Sequence, residues 1–453
     1  MKSGQKEFLL TDITHYAHHK SVKGYFSEPE NAEQTIEAVY AAIQRGLNIC
    51  VLGAQNSFSD IFLGEGKLHI SLAKQNKVIS FNQQTGEITV QPGIRIWQVL
   101  QILMPRGFYL TGLSGSYTDT IGGMISSNSH GKDSWKYANC GNNVTRLKLL
   151  TADGSILTVE KKTPLMNAVV GGLGMLGVIT EITLQPKKLP SYFVTCSDKI
   201  IPSTDITAFE KDAHYKYIWL DMANPKKPLS VVKLATFNLS LKDRPFKVPA
   251  AKPTVWNLPS PVFWKSLRLL WNQHTYIPSN SFLRGVHYLR TGTYTNTVVD
   301  YYYPWRKYPD NCMLFSNNAF HEMQVLFPTA TFQQALAELS KLTQRYGIYP
   351  LNVNVKWHCA DSFYLSFSGE GLCLLTTFES SLFTSVNGRK LAEAYMEVVE
   401  SMGGKMYLSK FSYLTHQQLR KQYPLFENWL SVKKQTDPNN IFLSDRAKTL
   451  LGL

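Results

Sequence analysis

Between about Ala32 and Arg45, Ile36, Val39 and Ile43 recur at helical spacing, and Gly46 supplies a stop, so a helix is predicted there. The apolar run from Asn48 to Leu52 is too short for a helix and reads as a strand. Lys67 to Leu72 alternates apolar and polar side chains, as strands do. Lys77 to Pro92 alternates on both sides of Gln84-Thr85-Gly86-Glu87 and reads as a hairpin. Helical spacing returns from Ile94 to Met104 through Ile96, Leu100 and Leu103. Asp153-Gly154, set between the apolar runs Leu149-Leu150 and Ile156-Leu157, marks a second hairpin. Val178 to Leu184 is β-branched and alternating, a strand that ends near Pro186. Further on, Tyr215 to Leu220, Leu229 to Leu239, Phe320 to Pro328, Leu351 to Trp357 and Leu372 to Phe378 read as strands. Thr331 to Tyr346 and Arg389 to Met402 read as helices, the second closed by Gly403-Gly404. Lys247 to Pro253 is too broken by proline to be a core element.

Three glycine-rich stretches interrupt this pattern before residue 190. Gly53-Ala54-Gln55-Asn56-Ser57-Phe58-Ser59-Asp60 follows a predicted strand and offers several amide donors, as a phosphate-cradling turn requires. Thr111 to Lys132 is poor in bulky side chains, and its Gly122-Gly123 lets backbone lie against a flat or anionic ligand. Val169 to Gly177 contains a formal GxGxxG, but a strand follows it where a dinucleotide-binding βαβ unit needs a helix. Each stretch alone is also compatible with a plain connecting loop.

At 453 residues, with 44% hydrophobic and 18% charged side chains, the chain has room for two domains and a sizeable core. Its net charge of +14 predicts attraction to polyanions, whether nucleic acid, anionic lipid or a phosphorylated substrate. The basic residues do not cluster into a run with interleaved aromatics, so no nucleic-acid partner is expected. The amino terminus lacks a signal-peptide core and no apolar run reaches the roughly 18 residues of a membrane span, which predicts a cytoplasmic protein. Cys50, Cys140, Cys196, Cys312, Cys359 and Cys373 show no CxxC spacing, so they read as reduced thiols and no metal site is expected. Pro261 to Trp271 is apolar, aromatic and basic, which suits a helix resting on a membrane or one packed on its own domain. Glu322 and Gln324 share one face of a strand, where they bind a sugar or meet solvent.

Taken together, the three loops, with Gly122-Gly123, His130-Gly131-Lys132 and Leu149 to Gly154, resemble the FAD-binding domain of the vanillyl-alcohol oxidase superfamily. Within it the likeness is to the polyprenylphosphoryl-ribose 2′-oxidases of cell-envelope precursor synthesis. It is dense in the first 190 residues and in the tail, Tyr423 to Trp429 and Asp437 to Asp445. The resemblance implies an α+β fold: a PCMH-type FAD-binding domain of two subdomains (1–190), a substrate domain with an antiparallel sheet flanked by helices (191–404), and a C-terminal segment (405–453) completing the first. It implies FAD held by Gly53, Ala54, Gln55, Asn56, Ser57 and Phe58, by Gly115, Ser116, Thr120, Gly122, Gly123, Ser127, Asn128, His130 and Gly131, and by Gly177, Val178, Ile179 and Tyr407. Asn56 stands where lactone oxidases of the superfamily carry a flavin-linked histidine, so noncovalent FAD is expected.

The implied reaction takes a hydride from a secondary carbinol of a sugar to flavin N5 and leaves a ketone. Lys410 matches the family's active-site lysine and Cys373 an active-site thiol; Glu322 and Gln324 would fix the sugar, and Lys132 would meet a substrate phosphate or the flavin edge. The lipid-linked ribose oxidases resemble 322–324 with two glutamines and the lactone oxidases with two glutamates, so an aldonolactone or alditol oxidase using oxygen is the alternative. Implied partners are a phosphorylated or lipid-linked sugar, the inner face of the plasma membrane, and a reductase that processes the keto product.

Overall fold

Four short strands, β1 (Leu9–Thr14), β2 (Ser21–Ser27), β3 (Ile49–Leu52) and β4 (Leu68–Ser71), pair in the order β1-β2-β4-β3 in a computed structural model. It describes residues 8–452 except 208–211, 223–228, 243, 245, 251–253, 273, 309 and 411–413. Helix α1 (Ala32–Gln44) joins β2 to β3, and both lie parallel to β4, as a crossover allows. Asn31 caps α1 by accepting from the Gln34 amide, and Ala38, Val39 and Ala42 bury against Ile49, Leu68 and Ile70. That packing fixes where β3 ends and hence where the Gly53 turn begins.

The second sheet contains β5 (Val78–Phe81), β6 (Ile88–Val90), β7 (Val144–Leu150), β8 (Ile156–Glu160) and β9 (Val178–Leu184), all antiparallel in the order β5-β6-β9-β7-β8. Both predicted hairpins are present. Asn82 Oδ1 accepts from the Gln84 and Thr85 amides in the first turn. Asp153 Oδ1 accepts from the Thr151 hydroxyl and the Ser155 amide in the second, where Gly154 takes φ +83°. The GxGxxG runs into β9, as expected.

Between β6 and β7 lie α2 (Ile96–Leu103) and α3 (Ile121–Ser126). The second was expected to be loop. Thr120 accepts from the Gly123 amide as its cap, and a Cβ on Gly122 would lie 2.7 Å from Pro92 Cβ. Gly122 is therefore there so that a short helix can touch Pro92.

The third sheet is antiparallel and has eight strands: β10 (Phe193–Pro202), β11 (Tyr215–Asp221), β12 (Leu229–Phe237), β13 (Gly292–Thr297), β14 (Phe320–Pro328), β15 (Asn352–His358), β16 (Gly371–Glu379) and β17 (Lys405–Met406). Their order is β13-β10-β12-β11-β15-β16-β14-β17. Helices α4 (Ser260–Leu270) and α5 (Tyr276–Leu289) lie between β12 and β13 in the chain, and α6 (Thr329–Tyr346) and α7 (Val386–Ser401) cover one sheet face. Phe332, Leu336, Leu339, Leu391 and Tyr395 from those helices share a core with Met323, Val325, Val353, Val355 and Leu374. Strand alternation then sends the residues between them to the opposite face.

No signal was assigned to α5, because Pro278 and Gly285 interrupt its pattern. Of the proline-broken stretch, residues 247–250 are irregular and 251–253 lie outside the described residues. The tail, with helices α8 (Phe426–Thr436) and α9 (Asp445–Leu451), returns to the first part of the chain: the Ile49 amide of β3 donates to Ile441 O, and Trp429 Nε1 to Ala168 O in the short helix Pro164–Val169. Among the described residues no helix is long and apolar enough to cross a membrane.

Candidate active site

Where β3 ends, the amides of Gly53, Ala54, Gln55, Asn56 and Ser57 find no acceptor among the described residues. The turn is nonetheless held firmly. The Tyr16 amide donates to Gln55 O, and Gln55 adopts φ +56°. Asn56 Nδ2 donates to Asp119 Oδ1 (2.8 Å), Thr118 Oγ1 (3.0 Å) and Ser116 Oγ (3.3 Å), tying the first loop to the second. A Cβ on Gly53 would meet Thr120 Oγ1 at 2.3 Å, whereas one on Gly115 would meet nothing within 4 Å. The two loops thus touch at Gly53 and leave open space at Gly115, and the first of them carries the unpaired amide donors. A run of unpaired amides beside open space suits an anionic diphosphate.

Other expected cofactor residues take different parts. Asn128 at φ +42° has its side chain consumed internally: Nδ2 donates to Asp361 and Ser366, and Oδ1 accepts from the Gly141 amide. Val178 and Ile179 send buried side chains into the core, so only their main chain is left for a ligand, beside Gly177 at φ +152°. Tyr407 donates its hydroxyl to Ser127 O and stacks on Phe367 at 4.8 Å. Gly131 is required by contact, since a Cβ there would fall 1.8 Å from the Tyr302 hydroxyl.

The face of the large sheet away from α6 and α7 carries the polar groups. Registry places Glu322 opposite Thr377, Gln324 opposite Leu375, which pairs with Asn354, and Leu326 opposite Cys373, which pairs with Lys356. Glu322 and Gln324 are 6% and 3% exposed, so they form an interior floor and not a solvated strand face. Gln324 Nε2 donates to Glu322 Oε1 at 2.8 Å, and Thr377 Oγ1 donates to Glu322 Oε2 at 3.2 Å. Because its amide faces the carboxylate, Gln324 presents Oε1 to His130 Nε2, 2.6 Å away. His130 is thereby fixed as the neutral Nε2–H tautomer, and burial holds its pKa well below the ordinary value.

Lys410 Nζ completes this chain 3.1 Å from Glu322 Oε1 and lies 3.4 Å above the centre of the Phe58 ring. It was expected on a strand. The strand ends at Met406, and Lys410 sits in a bend whose amide donates to Tyr407 O. That bend lets the lysine reach across to β14.

Lys132 lies deeper in the fold. It is 8% exposed, and its ammonium donates to Tyr301 O at 3.1 Å and to Tyr302 O while lying 4.7 Å over the Tyr217 ring. Two of its donors are thus taken by main-chain carbonyls, and burial holds its pKa well below the ordinary value. The unforeseen cation is Lys356, whose ammonium makes no hydrogen bond among the described residues and lies near Cys373, Glu322 and Lys410. Burial lowers its pKa. The alternation of Asn352, Asn354 and Lys356 was the signal that could have found it. Cys373 is 1% exposed, packed with Leu326, Phe367 and Tyr407, and burial pushes its thiol up to about 12.

Known proteins match the same two regions. The family model described as "FAD binding domain" covers residues 24–160, and that of D-arabinono-1,4-lactone oxidase covers 310–450. Decaprenylphosphoryl-beta-D-ribose oxidase of Mycolicibacterium smegmatis is 27% identical, over 94% of this chain and 93% of its own. L-gulonolactone oxidase of Mus musculus is 23% identical, over 92% and 93%. The crystal structure of cholesterol oxidase from B. sterolicum superposes with a TM-score of 0.74 at 13% identity over 98% of this chain and 97% of that one, which speaks for the fold alone. The loop of unpaired amides and the two matched regions agree: the chain carries a PCMH-type FAD-binding domain and a region of the D-arabinono-1,4-lactone oxidase type, and it is an FAD-dependent oxidoreductase acting on CH–OH groups.

Proposed function

We propose that the enzyme oxidises a secondary hydroxyl of a pentose to a ketone, with a polyprenylphosphoryl ribose as preferred substrate. The observation that carries this reading is the Lys410–Glu322 pair, 3.1 Å apart beside Gln324 on a buried polar floor. In it, residues 1–190 and 405–453 hold FAD and 191–404 hold the sugar. Bound FAD supplies a two-electron acceptor for the carbinol hydrogen. Lys410 orients the hydroxyl oxygen, Glu322 accepts the hydroxyl proton, and Gln324 holds a neighbouring hydroxyl. With Lys132 engaged elsewhere, Lys356 is the cation left to meet a substrate phosphate. The match to decaprenylphosphoryl-beta-D-ribose oxidase supports the lipid-linked pentose; Glu322 and the D-arabinono-1,4-lactone oxidase match support a free aldonolactone as the second reading. Anaerobic flavin bleaching separates them. Polyprenylphosphoryl ribose is expected to bleach the flavin faster; faster bleaching by a free aldonolactone would overturn the preference.

A lipid-linked substrate requires approach to a bilayer. Trp264 anchors α4 in the protein, while Leu269 and Leu270 of α4 and Phe282 and Leu289 of α5 are 76%, 68%, 72% and 89% exposed. The sequence has no Asp or Glu between Asp243 and Asp300, and Lys265 and Arg290 stand exposed among these apolar residues. An apolar, acid-free surface with cations suits an anionic bilayer. The protein is expected to sediment with phosphatidylglycerol-containing vesicles, and Phe282→Ser/Leu289→Ser to stay in solution. Equal sedimentation of both proteins would remove these helices from the contact.

Dissociable FAD is the third expectation. Asn56 spends its side chain on Ser116, Thr118 and Asp119, and an amide forms no flavin bond. The native protein should be yellow and its acid-precipitated pellet colourless; a yellow pellet would show a covalent link elsewhere.

A further inference from the structure

His130, His358 and Cys373 are far apart in sequence, yet β15, β16 and the glycine stretch bring them to one point on the floor just described. The imidazole centroids are 4.6 Å apart, and one ring nitrogen from each, with Cys373 Sγ, all lie within 4.8 Å of one another. The residues are 4%, 4% and 1% exposed. His130 commits Nε2–H to Gln324, so its Nδ1 carries an unused lone pair, and neither nitrogen of His358 has a hydrogen-bond partner among the described residues. Buried polar atoms are seldom left in that condition. Two imidazoles and a thiol are borderline and soft donors, the set that selects a zinc-class ion over magnesium or calcium. With bonds of about 2.0–2.1 Å to nitrogen and about 2.3 Å to sulfur, the trio needs to contract by only roughly an ångström.

We propose that His130, His358 and Cys373 form a binding site for a zinc-class divalent cation, with a fourth position open to water. The thiol releases its proton to solvent as the sulfur–metal bond forms. Lys356, paired across from Cys373, opposes the ion's charge but offsets the thiolate, which suits a reversible ligand better than a permanent structural one. An ion on His130 Nδ1 is linked through Nε2–H to Gln324, and through Gln324 to Glu322 and Lys410. Occupancy therefore restrains the groups that the proposed function assigns to the sugar, and inhibition is the expected outcome.

The binding test is independent of that reading. Tag-free, FAD-loaded protein is titrated with Co²⁺ alone and followed by d–d absorption beyond the flavin band and by thiolate-to-cobalt charge transfer. One equivalent should produce both, and Zn²⁺ should displace them. Cys373→Ser should lose the charge-transfer band. His358→Gln should weaken binding beyond the roughly 10–100-fold that loss of an outer partner costs, while keeping the flavin spectrum. Absence of both bands in the native protein would overturn the site, as would bands unchanged in either variant. If one variant fails to fold, the other and the native titration still decide. Inhibition is read separately: Zn²⁺ should slow substrate bleaching of the native flavin and not that of His358→Gln. Cobalt bands without inhibition would leave the site standing and sink its link to the sugar-binding groups.

Discussion

Lys410→Met is expected to bind FAD with a normal spectrum and to reduce it with substrate at least about 100-fold more slowly, within the roughly 10²–10⁴ that a positioned acid–base group contributes. Methionine keeps most of the stem over Phe58 but removes the charge and three donors, so packing survives while the hydroxyl loses its anchor. The partner is affected too. Glu322 would keep Gln324 and Thr377 as donors but lose its only ion-pair cation among the described residues, at 3.1 Å. Glu322→Gln in the Lys410→Met background is therefore expected to slow reduction much less than either change predicts alone, because the pair acts as a unit. Stopped-flow bleaching under anaerobic conditions measures both. Native rates in Lys410→Met would make it an ordinary ion pair and leave the hydroxyl without an anchor.

What the sequence disclosed and what it hid divide along a physical line. Local chemistry was legible: β-branched alternation from Val178 excluded a nicotinamide site, Asp153-Gly154 placed a hairpin, and Glu322 and Gln324 share a face because side chains alternate along a strand. What depended on distant partners was not. Lys132 reads as a cation after a glycine stretch, and only the carbonyls of Tyr301 and Tyr302 show that it is engaged. Lys356 reads as a solvated residue in an alternating strand until Cys373 and Leu326 are set in register beside it. Lys410 was placed on a strand because its neighbours look strand-like, and the bend that aims it at Glu322 has no sequence signature. Helix α5 was hidden by Pro278, although proline is tolerated in a first turn.

The tail hid one more such partner, and its removal should be the most damaging to stability. Lys433, 1% exposed on α8, donates to the Asp437 carboxylate, to Met175 O at 2.6 Å and to Phe442 O at 3.1 Å. Asp437, fully buried, also accepts from the Ile441 and Phe442 amides. Phe442 bridges to Ile49 of β3, the strand that delivers the Gly53 turn, and Met175 lies in the third glycine-rich turn. One ammonium thus joins the tail to two of the loops assigned to the cofactor. Lys433→Met leaves a buried carboxylate without its cation and two carbonyls without a donor, so a loss of about 3–5 kcal/mol is expected. Flavin release should accompany it. Adding Asp437→Asn removes the stranded charge, and the double variant should recover part of the loss. Denaturant midpoints from tryptophan and flavin fluorescence give the three values. A single-variant cost within about 0.5 kcal/mol, the range of ordinary surface substitutions, would show that the clamp contributes nothing.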